Sequence, residues 1–349
     1  MENLLVNKVA AVKEVRQAAE YQKKKQACIL TGLAGSSKPV FFAAADKLLG
    51  GKGSMAFITA SREEIRTYRR ELNYLYPDLP MQELYPVSLP RVQADTQSLE
   101  LQAGRAAALR FLSGEERGIV FITAEALQQK QLRPSGMSGK ALQLAVGEEH
   151  EQRNIAAALL DLGYERTEQV DALGQFCLRG DILDVYPINS STAVRIEWFD
   201  NELDAMRSFD VDTQRSLQTL TSIKIAPLKV DESFSYDANI FEYCAADTMV
   251  VVDEPVHVFS MLEKLDKENK EHASELFGKQ ELIEQLAANG AVLVSALGHS
   301  YLQQLPSLNI PVRAVAPYNK NTNLLVEDLQ NWLAEGITPL IMLSGSIKA

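Results

Sequence analysis

The sequence predicts an α/β protein in which a parallel-sheet domain is split by a largely antiparallel α+β insertion. Three observations predict it. At both ends of the chain, short unbroken apolar strands alternate with helical patterns, as in a parallel sheet buried on both faces. In the middle, apolar and polar residues alternate with period two, as in strands with one solvated face. Between residues 128 and 140 the α/β rhythm stops in a stretch rich in Gln, Ser, Gly and Pro, which marks a boundary. The expected divisions are residues 1–127 and 223–349 for the two parts of the α/β domain and 128–222 for the insertion.

Taken in order, residues 1–25 read as helical, with Val9, Val12, Val15 and Ala19 recurring between charges. A strand at 27–31 runs into Gly32-Leu33-Ala34-Gly35-Ser36-Ser37-Lys38-Pro39, and a helix follows at 40–49. Strand, small-residue loop, lysine, helix is the layout of a phosphate-binding P-loop. The pattern asks for Gly, four residues, Gly-Lys, then Ser or Thr. Gly32 and Lys38 are in place; Ser37 stands for the second glycine and Pro39 for the hydroxyl residue. That hydroxyl ligates magnesium, and proline has none. Proline does suit the first turn of a helix. The favoured reading is a vestigial nucleotide loop kept as scaffold, with Gly32, Gly35, Ser37 and Lys38 as its remnants. The other reading is a working ATPase site.

A strand at 54–60, a helix at 62–76, a short strand at 84–85, a helix at 96–112 and a strand at 118–123 continue the α/β pattern. An amphipathic helix at 151–162, closed by Gly163, opens the insertion. Beyond residue 223 come an apolar strand at 249–255 that closes on the acids Asp253-Glu254, helices at 256–276 and 279–289, a strand at 291–295, an amphipathic helix at 324–333 and a strand at 338–343. The chain stops after a buried-type strand with no helix to cover it, so a segment of a longer protein is expected.

Totals narrow the function classes. At 349 residues two or three domains are expected. A net charge of −11 is unlike a freestanding DNA-coating protein, whose affinity comes largely from neutralising phosphates. Three separated cysteines and four scattered histidines match no disulfide framework or metal site, so reduced thiols in a cytoplasm and no metal are expected. The polar first 26 residues are no signal peptide, and no apolar run approaches the ~20 residues of a membrane span.

The insertion carries the most informative pattern. In the strand at Gln175, Phe176, Leu178 and Ile182 share one face, and Gln175, Cys177, Arg179 and Asp181 the other. The phase then flips to Leu183 and Val185, which points to a bulge or bend. In the partner strand Val194, Ile196 and Trp198 face inward, while Arg195 and Glu197 face out. The outer face thus lines up Arg179, Asp181, Arg195 and Glu197. It can be a solvated face with weak cross-strand pairs, each contributing roughly 0.2–1 kcal/mol, or an arginine-rich docking surface. Periodicity does not decide between them.

A resemblance does. Gly163-Tyr164-Glu165-Arg166, then Gly174-Gln175-Phe176-Cys177-Leu178-Arg179-Gly180-Asp181-Ile182-Leu183-Asp184-Val185-Tyr186-Pro187 open the stretch. Val194-Arg195-Ile196-Glu197-Trp198-Phe199-Asp200 and Phe209-Asp210-Val211-Asp212-Thr213-Gln214-Arg215-Ser216 follow. Together they resemble one segment of bacterial nucleotide-excision-repair proteins, found in UvrB and in the UvrB-like N-terminal region of transcription-repair coupling factors. UvrB keeps an intact P-loop and an aromatic-rich DNA-gripping hairpin; this chain shows neither, so the resemblance is to the coupling factors. It implies a split RecA/helicase-like parallel-sheet domain with an inserted UvrA-binding domain. Carried over by position, the UvrA contacts would be Arg166, Arg179 and Glu197; Arg195 and Asp181 join them from the expected face. Where UvrB has another arginine, two residues before Arg179, this chain has Cys177.

The resemblance also implies a parent protein that displaces stalled RNA polymerase with an ATP-driven translocase on double-stranded DNA and recruits UvrA. Its motor, ATP and magnesium would lie beyond residue 349, leaving a non-enzymatic recruitment module without cofactor, and another domain could mask the docking face. Asp253-Glu254 resembles the acidic pair of helicase motif II, which holds magnesium through water; the favoured reading is a strand-end acid pair. Two alternatives stay open: a helicase-like ATPase using Lys38 with Asp253-Glu254, and a UvrB-like DNA clamp.

Overall fold

Apolar runs become strands and the amphipathic runs between them helices. The computed structural model describes residues 4–89, 99–134, 141–228, 236–296, 304–312, 318–319 and 321–339. The first part of the chain runs α1 (Leu4–Ala10), α2 (Lys13–Lys23), β1 (Cys28–Thr31), α3 (Ser37–Leu48), β2 (Met55–Thr59), α4 (Arg62–Leu75), β3 (Met81–Leu84), α5 (Leu99–Ser113), β4 (Ile119–Thr123) and α6 (Ala124–Gln128). The single helix expected at 1–25 is two, because Val12 takes an extended backbone (φ −65°, ψ 134°). Helix α4 starts at a capping box: Glu64 accepts the Ser61 N–H at 3.0 Å, and Ser61 caps the helix in return.

Two short antiparallel ladders lead into and out of the insertion. Strand β5 (Gln131–Leu132) pairs with β14 (Tyr236–Ala238), and β6 (Leu142–Ala145) with β13 (Ser222–Ile225). Between β6 and β13 lie α7 (Gln152–Asp161), β7 (Glu165–Arg166), β8 (Gln175–Arg179), β9 (Ile182–Val185), β10 (Ala193–Phe199), β11 (Glu202–Phe209) and β12 (Ser216–Thr219). The chain then adds β15 (Met249–Asp253), α8 (Pro255–Glu268), α9 (Lys279–Ala288), β16 (Val292–Ser295) and β17 (Ser307–Asn309). The helix expected at 256–276 stops at Glu268 and is followed by a 3₁₀ segment, Lys270–Glu275.

Seven strands form a parallel sheet in the order β17-β1-β16-β15-β2-β4-β3. Strand alternation sorts its residues into two cores. Ile29, Ala56, Ile58, Val250, Val252 and Leu293 pack with α5, α6, α8 and α9. Cys28, Leu30, Phe57, Met249, Val251 and Val294 pack with α1 to α4. Helices on both faces are what buries unbroken apolar strands. The second sheet runs β12-β11-β10-β9-β8-β7 and packs one apolar face on α7 around Phe176, Leu183, Val194, Ile196 and Trp198. It is antiparallel except where β7 joins β8 in parallel.

The described residues up to Pro311 form one compact unit and those from Val312 onward a second. Within the second, α10 (Thr322–Ala334) has its N-cap Asn321 accepting the Leu324 N–H at 3.2 Å, and none of its residues is buried. The strand expected at 338–343 lies outside the described residues from 340 onward.

Candidate functional site

The charged outer face is built from β8 to β11. The bend expected near Ile182 is a full hairpin: Arg179 pairs with Ile182 and Cys177 with Asp184 across a two-residue turn, Gly180-Asp181. Gly180 has φ +55°, the requirement at the first position of a II′ turn. Asp181 is therefore in the turn and not on the strand face. Its carboxylate accepts from the Gln152 amide at 3.2 Å, and its carbonyl from the Trp198 N–H at 2.9 Å.

The hairpin places Asp184 beside Arg195. Asp184, 2% exposed, is the anchor of the face and went unnoticed in the sequence. Arg195 grips it with two parallel bonds, Nε to Oδ1 at 2.6 Å and Nη2 to Oδ2 at 2.8 Å. Arg179 adds a third from Nη2 at 3.2 Å. Arg195 also donates to the Gln214 amide oxygen at 3.0 Å and lies 4.6 Å from the Phe209 ring centre. Hydrogen bonding to Asp184 holds the Arg195 guanidinium above its ordinary pKa. Asp210 shapes the loop that presents Gln214: its carboxylate accepts both the Thr213 N–H and hydroxyl at 2.7 Å, and these bonds hold its pKa below the usual range. The Phe-Asp-x-x-Thr-Gln stretch thus supports Arg195.

Glu197 pairs with Arg207 of β11, a second residue sequence reasoning missed. Phe199, 77% exposed at the end of β10, is a third. The structure therefore brings Arg179, Arg195 and Glu197 onto one face. Arg179 keeps half of its side chain in solvent, whereas Arg195 is mostly committed inside. Cys177 is buried, and its thiol donates to the Glu168 carbonyl at 2.9 Å, so it presents nothing to a partner. Arg166 is exposed on the edge strand β7, but its register with Phe176 puts it in phase with the apolar face.

The second candidate region is the loop between β1 and α3. Gly32 has φ +88°, and a Cβ there would meet the Ile310 carbonyl oxygen at 2.6 Å. Gly35 also has positive φ. The Ser37 hydroxyl accepts the Ala34 N–H at 2.9 Å and donates to the Ala34 carbonyl at 2.7 Å, so it ties the loop to itself. Pro39 sits in the first turn of α3. Lys38 is buried and donates to Asp253 Oδ1 at 2.6 Å and Glu254 Oε1 at 2.7 Å. Burial pushes its pKa down, but the two carboxylates outweigh burial and hold it above the ordinary lysine value. The expected strand-end acids thus meet the loop lysine. Among the described residues no group of three or more His, Cys, Asp or Glu is placed to hold a metal ion.

Comparison with known proteins places these features. Residues 142–230 match the UvrB interaction domain. The transcription-repair-coupling factor of Bacillus subtilis is 36% identical over 203 residues, which are 58% of this chain and 17% of that protein. The Staphylococcus haemolyticus factor is 32% identical over 57% of this chain and 17% of its own length. The Escherichia coli factor is 28% identical over 47% and 14%. Among solved structures, a truncated XPD matches with a TM-score of 0.34 at 10% identity, covering 86% of this chain and 99% of that one. The matched part spans about a seventh to a sixth of these curated relatives. Residues 142–230, built around the charged sheet, are thus similar to the UvrB interaction domain, and the chain is similar over about half of its length to the transcription-repair-coupling factors.

Proposed function

We propose that this chain is the UvrA-recruiting module in the N-terminal, UvrB-like region of a transcription-repair coupling factor. The observation that carries the reading is the coincidence of the matched domain with a sheet whose one face is core and whose other displays Arg179, Glu197 and Phe199. Arg179 and Glu197 offer UvrA charged hydrogen bonds, and the exposed aromatic ring offers apolar area; arginine and aromatic residues are enriched at protein interfaces. In the whole protein, RNA polymerase and double-stranded DNA would be engaged elsewhere by an ATP-driven motor, and another domain could cover this face until the motor engages. The setting would be cytoplasmic; among the described residues no helix is long and apolar enough to cross a membrane.

A pull-down of purified UvrA tests the reading. Wild-type chain is expected to retain UvrA, with Arg179→Ala and Glu197→Ala retaining much less. Folded variants that bind as well as wild type would show the docking face to be misplaced.

The nucleotide loop is proposed to be catalytically silent. Ser37 closes the loop on Ala34, Pro39 offers no magnesium ligand, and Lys38 is already occupied by two carboxylates. No magnesium-dependent ATP turnover above background is expected; turnover lost in Lys38→Ala would favour the helicase-like reading. A salt-dependent DNA titration addresses the clamp reading, and only weak binding is expected from a chain of net charge −11.

A further inference from the structure

Lys38 stands where three segments of the parallel sheet meet. It lies in the first turn of α3, directly after the loop that follows β1. Its ammonium bridges Asp253, the last residue of β15, and Glu254, the next residue. Glu254 carries the connection onward. Its carboxylate accepts the Ala296 N–H at 3.0 Å and the Ser295 hydroxyl at 3.4 Å, both at the end of β16, and its own N–H donates to the Val294 carbonyl at 2.8 Å. Since β16 lies between β1 and β15, the contacts close a ring over three adjacent strand ends. Glu254 sits at φ +42°, the left-handed region that non-glycine residues enter at a cost and keep only when their surroundings hold them. On the far side, the buried Tyr68 of α4 has its pKa raised by burial and by the nearby Asp253, and Ser36 of the loop donates to Glu71 of α4 at 2.9 Å.

We infer that Lys38 is an internal clasp: the Asp253–Glu254 pair takes the place at this lysine that a phosphate takes in a working P-loop, and it holds the ends of β1, β15 and β16 in one arrangement without a ligand. A P-loop lysine normally reaches the β- and γ-phosphates. Here an entering triphosphate would have to break two charge-assisted bonds and face two uncovered carboxylates, whose charge opposes its own. The clasp also gives a reason for a lysine to persist beside Ser37 and Pro39, because its partners are inside the chain. The inference rests on the loop being catalytically silent, and the two statements are tested in separate arms.

Hydrogen–deuterium exchange on the whole chain reads the clasp. The peptides to follow cover residues 30–40 and 290–296, with β10–β11 peptides as an internal control. Breaking a buried charge pair by removing one partner is strongly destabilising, and local opening free energy sets the exchange rate. Lys38→Met is expected to speed exchange in both peptides by about tenfold or more. The Asp253→Asn/Glu254→Gln pair should do the same, the triple variant no more than either, and the β10–β11 peptides should not change. Should Lys38→Met fail to fold, Glu254→Gln, whose side chain is partly exposed, reads the same peptides. Exchange equal to wild type in these variants, or slowed in wild type by magnesium and ATP, would overturn the clasp. ATP turnover is measured beside it: turnover abolished by Lys38→Met, with exchange accelerated as expected, would sink the silent-loop reading and leave the clasp as the ligand-free state.

Discussion

Arg179 and Arg195 share one carboxylate and look interchangeable in the sequence, yet they differ in what their loss would do. Arg195 has 16% of its side chain exposed and closes a bidentate pair on a buried aspartate. Removing it leaves Asp184 with only Arg179, and breaking a buried pair in this way costs about 3–5 kcal/mol. Arg179 is half in solvent and contributes one longer bond, so Arg179→Ala is expected to change stability by no more than about 1 kcal/mol. Urea unfolding followed by circular dichroism checks the order: Arg195→Ala well below wild type, Arg179→Ala close to it. A loss of UvrA binding in Arg195→Ala would therefore report unfolding as much as contact, whereas Arg179→Ala is a clean probe of the surface. Lys38 carries a pH dependence of definite sign. Its pKa is raised in the folded chain, so its stabilisation is fully present below the unfolded lysine value near 10.4 and is lost as pH rises through the higher folded value. Wild type should lose more stability than Lys38→Met as pH rises above about 10, seen as converging urea midpoints; midpoints that stay parallel as pH rises would contradict it.

At the scale of elements, two turns require positive φ for different reasons. Gly180 in the β8–β9 turn has open space around its missing Cβ, so Gly180→Ala meets only backbone strain of about 1–2 kcal/mol. Gly32 combines positive φ with backbone oxygen 2.6 Å from where a Cβ would sit, and Gly32→Ala should cost clearly more. Comparing the two unfolding midpoints tests this. The same hairpin shows what the sequence could reveal. The alternation at Phe176, Leu178, Val194 and Ile196 is legible because burial repeats every second residue. The phase flip after Ile182 is legible too, but a two-residue turn and a bulge both shift the phase by one, so pattern alone cannot tell them apart. Arg207 escaped notice because a bulge between Glu197 and Trp198 spaces the inward residues Leu203 and Met206 by three, which hides β11 as a strand. The P-loop layout was readable because it is contiguous. The contact of Lys38 with Asp253 was not, because it joins residues 215 apart and exists only once the strand order is known.

At the scale of the whole molecule, the insertion has the features of a unit that could stand alone. Its main apolar cluster draws only on residues between Leu142 and Leu228, while the two clusters of the parallel sheet draw on none of them. The chain enters and leaves through β6 paired with β13, and below that through β5 paired with β14, so both junctions lie side by side. Adjacent ends are the condition under which one domain tolerates another within it. Among the described residues the links to the parallel-sheet part are few and polar or peripheral: Arg110 of α5 donates to the Asn189 carbonyl at 2.6 Å, and Leu99 approaches Gly174. We therefore expect residues 141–228, expressed alone, to fold cooperatively and to retain UvrA with the same sensitivity to Arg179→Ala as the whole chain. At this size a single core leaves a narrow margin. Its melting temperature should lie below that of the whole chain, and Arg195→Ala, harmful but tolerable in the larger protein, should unfold the isolated piece at room temperature. Circular dichroism melts and the UvrA pull-down read both outcomes. An isolated piece with no cooperative melt would mean that the parallel sheet supports the insertion.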